Sequence, residues 1–352
     1  MGLLILQEFR DKLDNIMLKA MHKSVLLYGY ESYTGRFIKW YAEYYHNIKI
    51  DYLVSTDMGL GIRRCSTDMS RSRAYDMEIF RPSILDFDYR DVRNAIIWVV
   101  EPMTDTLREA LNKKGYVLNV DYFDLYSEIY GDDVYGINET GVDVFHLRKE
   151  GRRDIQFLEW LEWKYDCNFL TRIKHDDLEV AKEHGEGYGC TTQKEIFTIL
   201  DRCHCIPKNK DAIFDYGCGK GGALLSFLDY GFERVGGVEY EPKIYEVLEQ
   251  NVRKLGISES QIELIQGDAA KVDAELDEYN WFYFYRPFDG YIFEKCIERM
   301  CRSYKRKKRK MHIIVISPFS HKQIEESKAF RLTNQFTIDL RQRVVHLYET
   351  FN

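Results

Sequence analysis

Ile213-Phe214-Asp215-Tyr216-Gly217-Cys218-Gly219-Lys220-Gly221-Gly222 reads as a buried strand ending in an acid, then a glycine-rich turn. An apolar helix, Ala223 to Leu228, follows at once. Glycines at such a turn let backbone approach a ligand closely, and the helix behind them offers unpaired N–H groups. Working outward, Arg234-Val235-Gly236-Gly237-Val238-Glu239 is a second strand ending in an acid. Ile262-Glu263-Leu264-Ile265-Gln266-Gly267-Asp268 is a third. Strand ends that carry acids on an open α/β sheet suit an adenosine-containing ligand.

The turn by itself is ambiguous. Gly217, Gly219 and Gly222 satisfy G-x-G-x-x-G, the dinucleotide spacing, whereas Gly217, Gly219 and Gly221 satisfy the G-x-G-x-G of S-adenosylmethionine (SAM) sites. Glycine patterns alone are weak evidence. Asp215 favours the second. A carboxylate two residues before the first glycine would repel a pyrophosphate but attract the sulfonium and ammonium of SAM.

On these residues the chain resembles the class I SAM-dependent methyltransferases. Asp215 to Gly221 matches the first motif of that family, Glu239 its ribose-binding acid, and Gly267-Asp268-Ala269 its adenine-contacting segment. Phe282-Tyr283-Phe284-Tyr285-Arg286-Pro287-Phe288 resembles the fourth motif, in which an aromatic strand runs into Asn-Pro-Phe. Gly187-Tyr188-Gly189-Cys190-Thr191 resembles the Tyr-x-Pro-Thr segment of one bacterial subgroup. Two positions depart from the pattern: Arg286 replaces Asn, and Cys190 replaces Pro.

The resemblance implies a SAM site of Tyr188, Thr191, Asp215, Gly217, Cys218, Gly219, Gly221, Glu239, Tyr240, Asp268 and Ala269. Glu239 would take both ribose hydroxyls, Asp268 the adenine amine, and Ala269 N–H a ring nitrogen. Tyr285, Arg286 and His184 are the candidates for the acceptor side, with His184 or Tyr285 as base. Arg286 would favour an anionic or hydroxyl-bearing acceptor over an amine. Thr192, followed by Glu195, equally reads as the start of an ordinary capped helix.

The chain has 352 residues, which suggests two domains. We expect an α/β protein of two Rossmann-like units. Residues 1–146 form the first; 147–186, rich in Trp and charge, read as a helical connector; 187–352 form a class I methyltransferase fold with a mostly parallel seven-stranded sheet. The first unit loosely resembles Rossmann-like domains appended to bacterial sugar-modifying enzymes. Its turn, Gly29 to Gly35, departs from the dinucleotide spacing and carries Glu31, so a scaffold or docking role is the simpler reading.

A formal net charge of -7 argues against an extended nucleic-acid footprint. Seven of the nine residues Arg302 to Lys310 are basic, which reads as a solvated loop or as an anionic-polymer contact. No apolar run is long enough to span a membrane. Met1 to Arg10 lacks a basic leader, and the eight cysteines form no C-x-x-C pair, as expected of a cytoplasmic protein. Cys203-His204-Cys205 has too few ligands at suitable spacing for a metal. The expected function is methyl transfer from SAM to a small-molecule or saccharide-type acceptor. The rivals are a methyltransferase for protein or nucleic acid, a non-catalytic SAM-binding module, and an NAD-dependent dehydrogenase. Neither the methylated atom nor the oligomeric state is legible.

Overall fold

The computed structural model describes residues 4–29, 33–54, 62–64, 79–80, 95–100, 103–130, 156–180, 187–288, 290–316, 322–338 and 343–351. Backbone contacts divide the chain into two units, one of Gln7–Gln156 and one of Met1–Leu6 with Phe157–Asn352.

The first unit holds a six-stranded sheet. Its strands are β1 (Val25–Tyr28), β2 (Tyr52–Val54), β3 (Ile62–Arg64), β4 (Ile79–Phe80), β5 (Ile96–Val99) and β6 (Tyr122–Asp124), in the order β4-β3-β2-β1-β5-β6. β1 pairs in parallel with β2 and β5, and β5 with β6; β3 and β4 add antiparallel pairs at one edge. β5 is buried along its whole length, as a strand covered on both faces must be. Helix Asp105–Lys113 begins at Thr104, whose hydroxyl accepts from Leu107 N, and it buries Leu107 and Leu111.

The second unit contains β7 (Ala212–Tyr216), β8 (Arg234–Glu239), β9 (Ile262–Gln266), β10 (Trp281–Tyr285), β11 (His312–Ile316), β12 (Phe330–Thr337) and β13 (Val344–Thr350). Their order is β12-β13-β11-β10-β7-β8-β9. The five strands from β9 to β11 run parallel, and β13 joins antiparallel to both β11 and β12. This is the mostly parallel seven-stranded sheet the sequence led us to expect. Strand order reverses between β7 and β10, so the crevice at their carboxyl ends is where an open sheet places a ligand.

Register decides which residues face that crevice. Asp215 lies opposite Tyr283 across β7 and β10, so both point to one face. Phe214, Tyr216, Phe282 and Phe284 take the other face, where they bury against Phe293, Cys296, Ile297 and Met300 of helix Gly290–Arg306. Tyr216 and Phe284 stack there with ring centroids 4.3 Å apart. Helix Gly222–Tyr230 packs on the opposite face, its Phe227 ring 5.1 Å from that of Tyr283.

The basic run Arg302–Lys310 is not a free loop. Arg302 to Arg306 complete helix Gly290–Arg306, because the apolar period that buries Phe293, Cys296, Ile297 and Met300 continues to a buried Ser303. The cations meet acids from the short turns before β10. Arg306 binds Asp273 and Asp277, and Arg299 and Arg302 also reach Asp273. Lys307 pairs with Glu278, Lys310 with Glu349, and Arg309 donates to the carbonyls of Leu276 and Tyr279. Among the described residues no helix is long and apolar enough to cross a membrane.

Candidate active site

One cavity of about 430 Å³ opens at the carboxyl ends of β7, β8 and β10. Every described residue of the expected cofactor set except Gly221 lines it, as do Tyr285 and Arg286. His184 lies outside the described residues. Gly221 instead precedes the helix as its cap, with φ of 90°, and donates its N–H to Cys218 O at 3.0 Å.

The glycine loop is shaped by what packs against it. Gly217 and Gly219 have φ of 80° and 56°, a left-handed region that side chains disfavour. A Cβ on Gly217 would lie 2.5 Å from Pro287, and one on Gly219 would lie 2.4 Å from the Tyr188 ring. Both glycines therefore mark close approaches of neighbouring segments as well as turn geometry.

Acids define the cofactor end. Glu239, at the tip of β8, accepts Gly219 N–H on Oε2 at 3.0 Å and Glu241 N–H on Oε1 at 2.9 Å. Each carboxylate oxygen keeps a second lone pair, so one bidentate diol can still be accepted. Burial pushes its pKa up, against the pull of those N–H groups. Asp215 is 3% exposed, and its carboxylate accepts no hydrogen bond from a described residue. Burial, with the charge of Glu239 beside it, raises its pKa to about 8. Asp268 accepts Ala270 N–H on Oδ1 at 2.9 Å, capping the 3-10 turn Ala269–Lys271, and its Oδ2 lies 3.8 Å from Lys271 Nζ. Tyr240 is half exposed at the rim.

Sequence reasoning singled out Tyr188 and Thr191 as a segment lying over the cofactor but missed the rest of the group on this side of the cavity. Residues 166–180 and 187–191 form a strap held to the glycine loop by polar contacts. Lys220, 1% exposed, donates from Nζ to Asn168 Oδ1 and Thr171 O, both at 2.8 Å. Its ammonium also lies 5.1 Å from the centre of the Tyr188 ring. Buried Asn251 accepts Asn168 N–H and donates to Asn168 O and Lys220 O. Tyr188 Oη donates to Phe169 O at 2.6 Å. At the far end Glu241 Oε2 accepts the N–H groups of Glu179 and Val180 at 2.9 and 3.0 Å. The one sequence signal for that rest was Lys220 itself, a long cation inside a turn of small residues.

Lys220→Met should therefore remove the hydrogen bonds to Asn168 Oδ1 and Thr171 O, at about 0.5–1.5 kcal/mol for each bond lost. We expect a melting temperature lower by several degrees and faster proteolytic cutting within 166–180. An unchanged melting curve together with an unchanged digestion pattern would remove the latch role.

The helix start after Thr191 is half of the expected motif. Thr192 Oγ1 accepts Glu195 N–H at 3.1 Å, but the Glu195 carboxylate does not return the bond. It instead forms a bidentate pair with Arg343 at 2.7 and 2.9 Å, and that guanidinium lies 5.5 Å from the Tyr285 ring centre. A charge-assisted fork outcompetes a single N–H contact. No group of three or more metal-ligating side chains exists among the described residues.

Comparison with known proteins agrees with the geometry. Residues 210–337 match the family model described as RNA cap guanine-N2 methyltransferase. A stretch of 101 residues is 26% identical to the ribosomal protein L11 methyltransferase of Alteromonas mediterranea, covering 29% of this chain and 35% of that protein. The chain thus spans about a third of the length of the curated relative it matches. Among solved structures, an RNA methyltransferase from Salinibacter ruber bound to S-adenosylhomocysteine (SAH) aligns with TM-score 0.34 and 14% identity, over 46% of this chain and 93% of that one. A ribosomal protein L11 methylase from Lactobacillus delbrueckii subsp. bulgaricus aligns with TM-score 0.34 and 13% identity, over 45% and 78%. The C-terminal sheet has the class I methyltransferase strand order, and residues 210–337 match a methyltransferase family model. The cavity fits SAM: an acid at the tip of β8 that can accept a diol, a buried acid that can meet a cation, and a glycine turn that admits backbone contact.

Proposed function

We propose that the chain transfers a methyl group from SAM to a small-molecule or saccharide-type acceptor. The observation that carries the cofactor half is the ring of acids around one cavity, with Glu239 held rigid between Gly219 N–H and Glu241 N–H. SAM supplies an electrophilic methyl on a sulfonium. The chain has to hold the ribose through Glu239, offer Asp215 to the positive end, and exclude water with the strap. It must also bring a nucleophile in line from the Tyr285–Phe288 side, where alignment is the main source of rate.

A small acceptor is supported by the fate of the basic run, whose cations are largely taken up by Asp273, Asp277, Glu278 and Glu349. It is also supported by the cavity lining, which among the described residues contains a single cation, Arg286. An RNA or protein acceptor is the second reading, favoured by the description of the matching family model and the name of the curated relative.

Calorimetry with SAM and SAH tests the cofactor half. We expect micromolar binding by the wild type and at least a hundredfold loss in Glu239→Ala. Absence of binding to either ligand would end the methyltransferase reading. Labelled methyl transfer into small-molecule and RNA pools then separates the acceptors, because phosphate-driven RNA binding falls steeply with salt.

A further inference from the structure

Arg286 is held in an unfavourable conformation that its neighbours enforce. Its φ is 47°, the left-handed region, and the next residue is Pro287. Proline drives the residue before it toward extended backbone. A non-glycine residue in such a region costs about 1–3 kcal/mol, and it persists only where the surroundings over-determine it. They do so here. Tyr285 ends β10 beneath Arg343. Pro287 fills the space that Gly217 leaves by having no side chain. The Phe288 ring meets those of Tyr216 and Phe284 edge-on at 6.4 and 6.3 Å. With both flanks anchored, Arg286 is the one exposed residue among 285–288, and it lines the cavity.

The cavity is electrostatically polarised. Asp215, Glu239, Glu241 and Asp268 line the cofactor end, while Arg286 is the only cation among the described lining residues. An anionic acceptor would be repelled by the acids unless a cation met it on the other side. Arg286 makes contacts within the chain; a guanidinium carries five N–H donors in a fork whose geometry matches a bidentate oxyanion.

We propose that Arg286 selects an acceptor bearing an anionic group, a phosphate or a carboxylate, beside the atom that receives the methyl group; the word acceptor rests on the methyltransferase reading above. The anion seats on the guanidinium, and the neighbouring nucleophile then lies over the Pro287–Gly217 contact, next to the cofactor loop.

The test titrates inorganic phosphate, and separately acetate, into SAH-saturated protein at constant ionic strength set with chloride. We expect one of the two to bind and to lose at least tenfold in affinity in Arg286→Gln, with partial retention in Arg286→Lys. SAH affinity should change less than twofold. Arg286→Asn should also lose the anion while melting higher than wild type, because Asn tolerates the left-handed region. Equal anion binding by wild type and Arg286→Gln, or no binding above the chloride control, would overturn the proposal. Failure of SAH to bind would sink the cofactor reading instead, and the same titration on free protein would still decide the role of Arg286.

Discussion

Asp215→Asn should melt well above the wild-type protein at pH 8, and the gap should close as the pH falls toward 4. Asp215 is buried at the end of β7, and its pKa rises from 3.8 to about 8. Between those values the folded chain holds a proton that the unfolded chain releases, so the contribution of this one group is most favourable below pH ~4 and is lost as the pH rises to ~8. At about 1.4 kcal/mol per pKa unit the loss has an upper bound near 6 kcal/mol. Even half of it would shift the melting temperature of a domain this size by roughly 6–12 °C. Asn removes the ionisation and so removes the loss.

Under the reading proposed above the same substitution should weaken SAM binding, because the charge that harms the free fold is the one offered to the sulfonium and ammonium. Wild-type affinity for SAM should rise from pH 5 to 8, with a proton released on binding. Melting curves from pH 4 to 9 and calorimetry in buffers of different ionisation enthalpy measure both effects. A wild type and Asp215→Asn pair whose melting temperatures differ by a constant amount across that range would show that Asp215 titrates normally.

The second large effect belongs to Gly219. Gly219→Ala adds a Cβ 2.4 Å from the Tyr188 ring at a φ of 56°. The backbone alone tolerates alanine there at about 1–2 kcal/mol. The clash adds to this, and it displaces either the Gly219 N–H from Glu239 or the Tyr188 ring from Lys220. SAH affinity should fall at least a hundredfold while the circular dichroism spectrum stays native. Removing the clash with Tyr188→Ala in the same chain should recover part of the loss, and the double-mutant cycle measures the coupling. Additive losses in the double variant would place the damage in the backbone and not in the ring contact.

Legibility followed the distance in sequence over which each feature is encoded. The glycine loop and the acids at strand ends are local patterns: an apolar run, a turn and one charged residue, each within about ten residues. The seven-stranded sheet came from the family resemblance those patterns carry. Of the strap only the Tyr188–Thr191 segment was readable, through its resemblance; the rest was not, because Asn168, Lys220 and Asn251 find one another only in the folded chain. The Arg302–Lys310 run looked like a loop because a row of basic residues hides helical period, and because its partners Asp273 and Asp277 lie some thirty residues earlier. The half-made capping box at Thr192 shows the same blindness: nothing near Glu195 announces Arg343. The left-handed backbone of Arg286 was equally hidden, since the sequence shows the residue change but not the conformation it is forced into.

The strap also bears on how spent cofactor would leave. Its hold on the glycine loop joins residues as far apart as Asn168 and Asn251, and buried Phe169, Leu170 and Leu178 anchor it. Cofactor passing this side of the cavity requires those contacts to break together, so under the reading proposed above a variant that loosens Lys220 should release SAH faster.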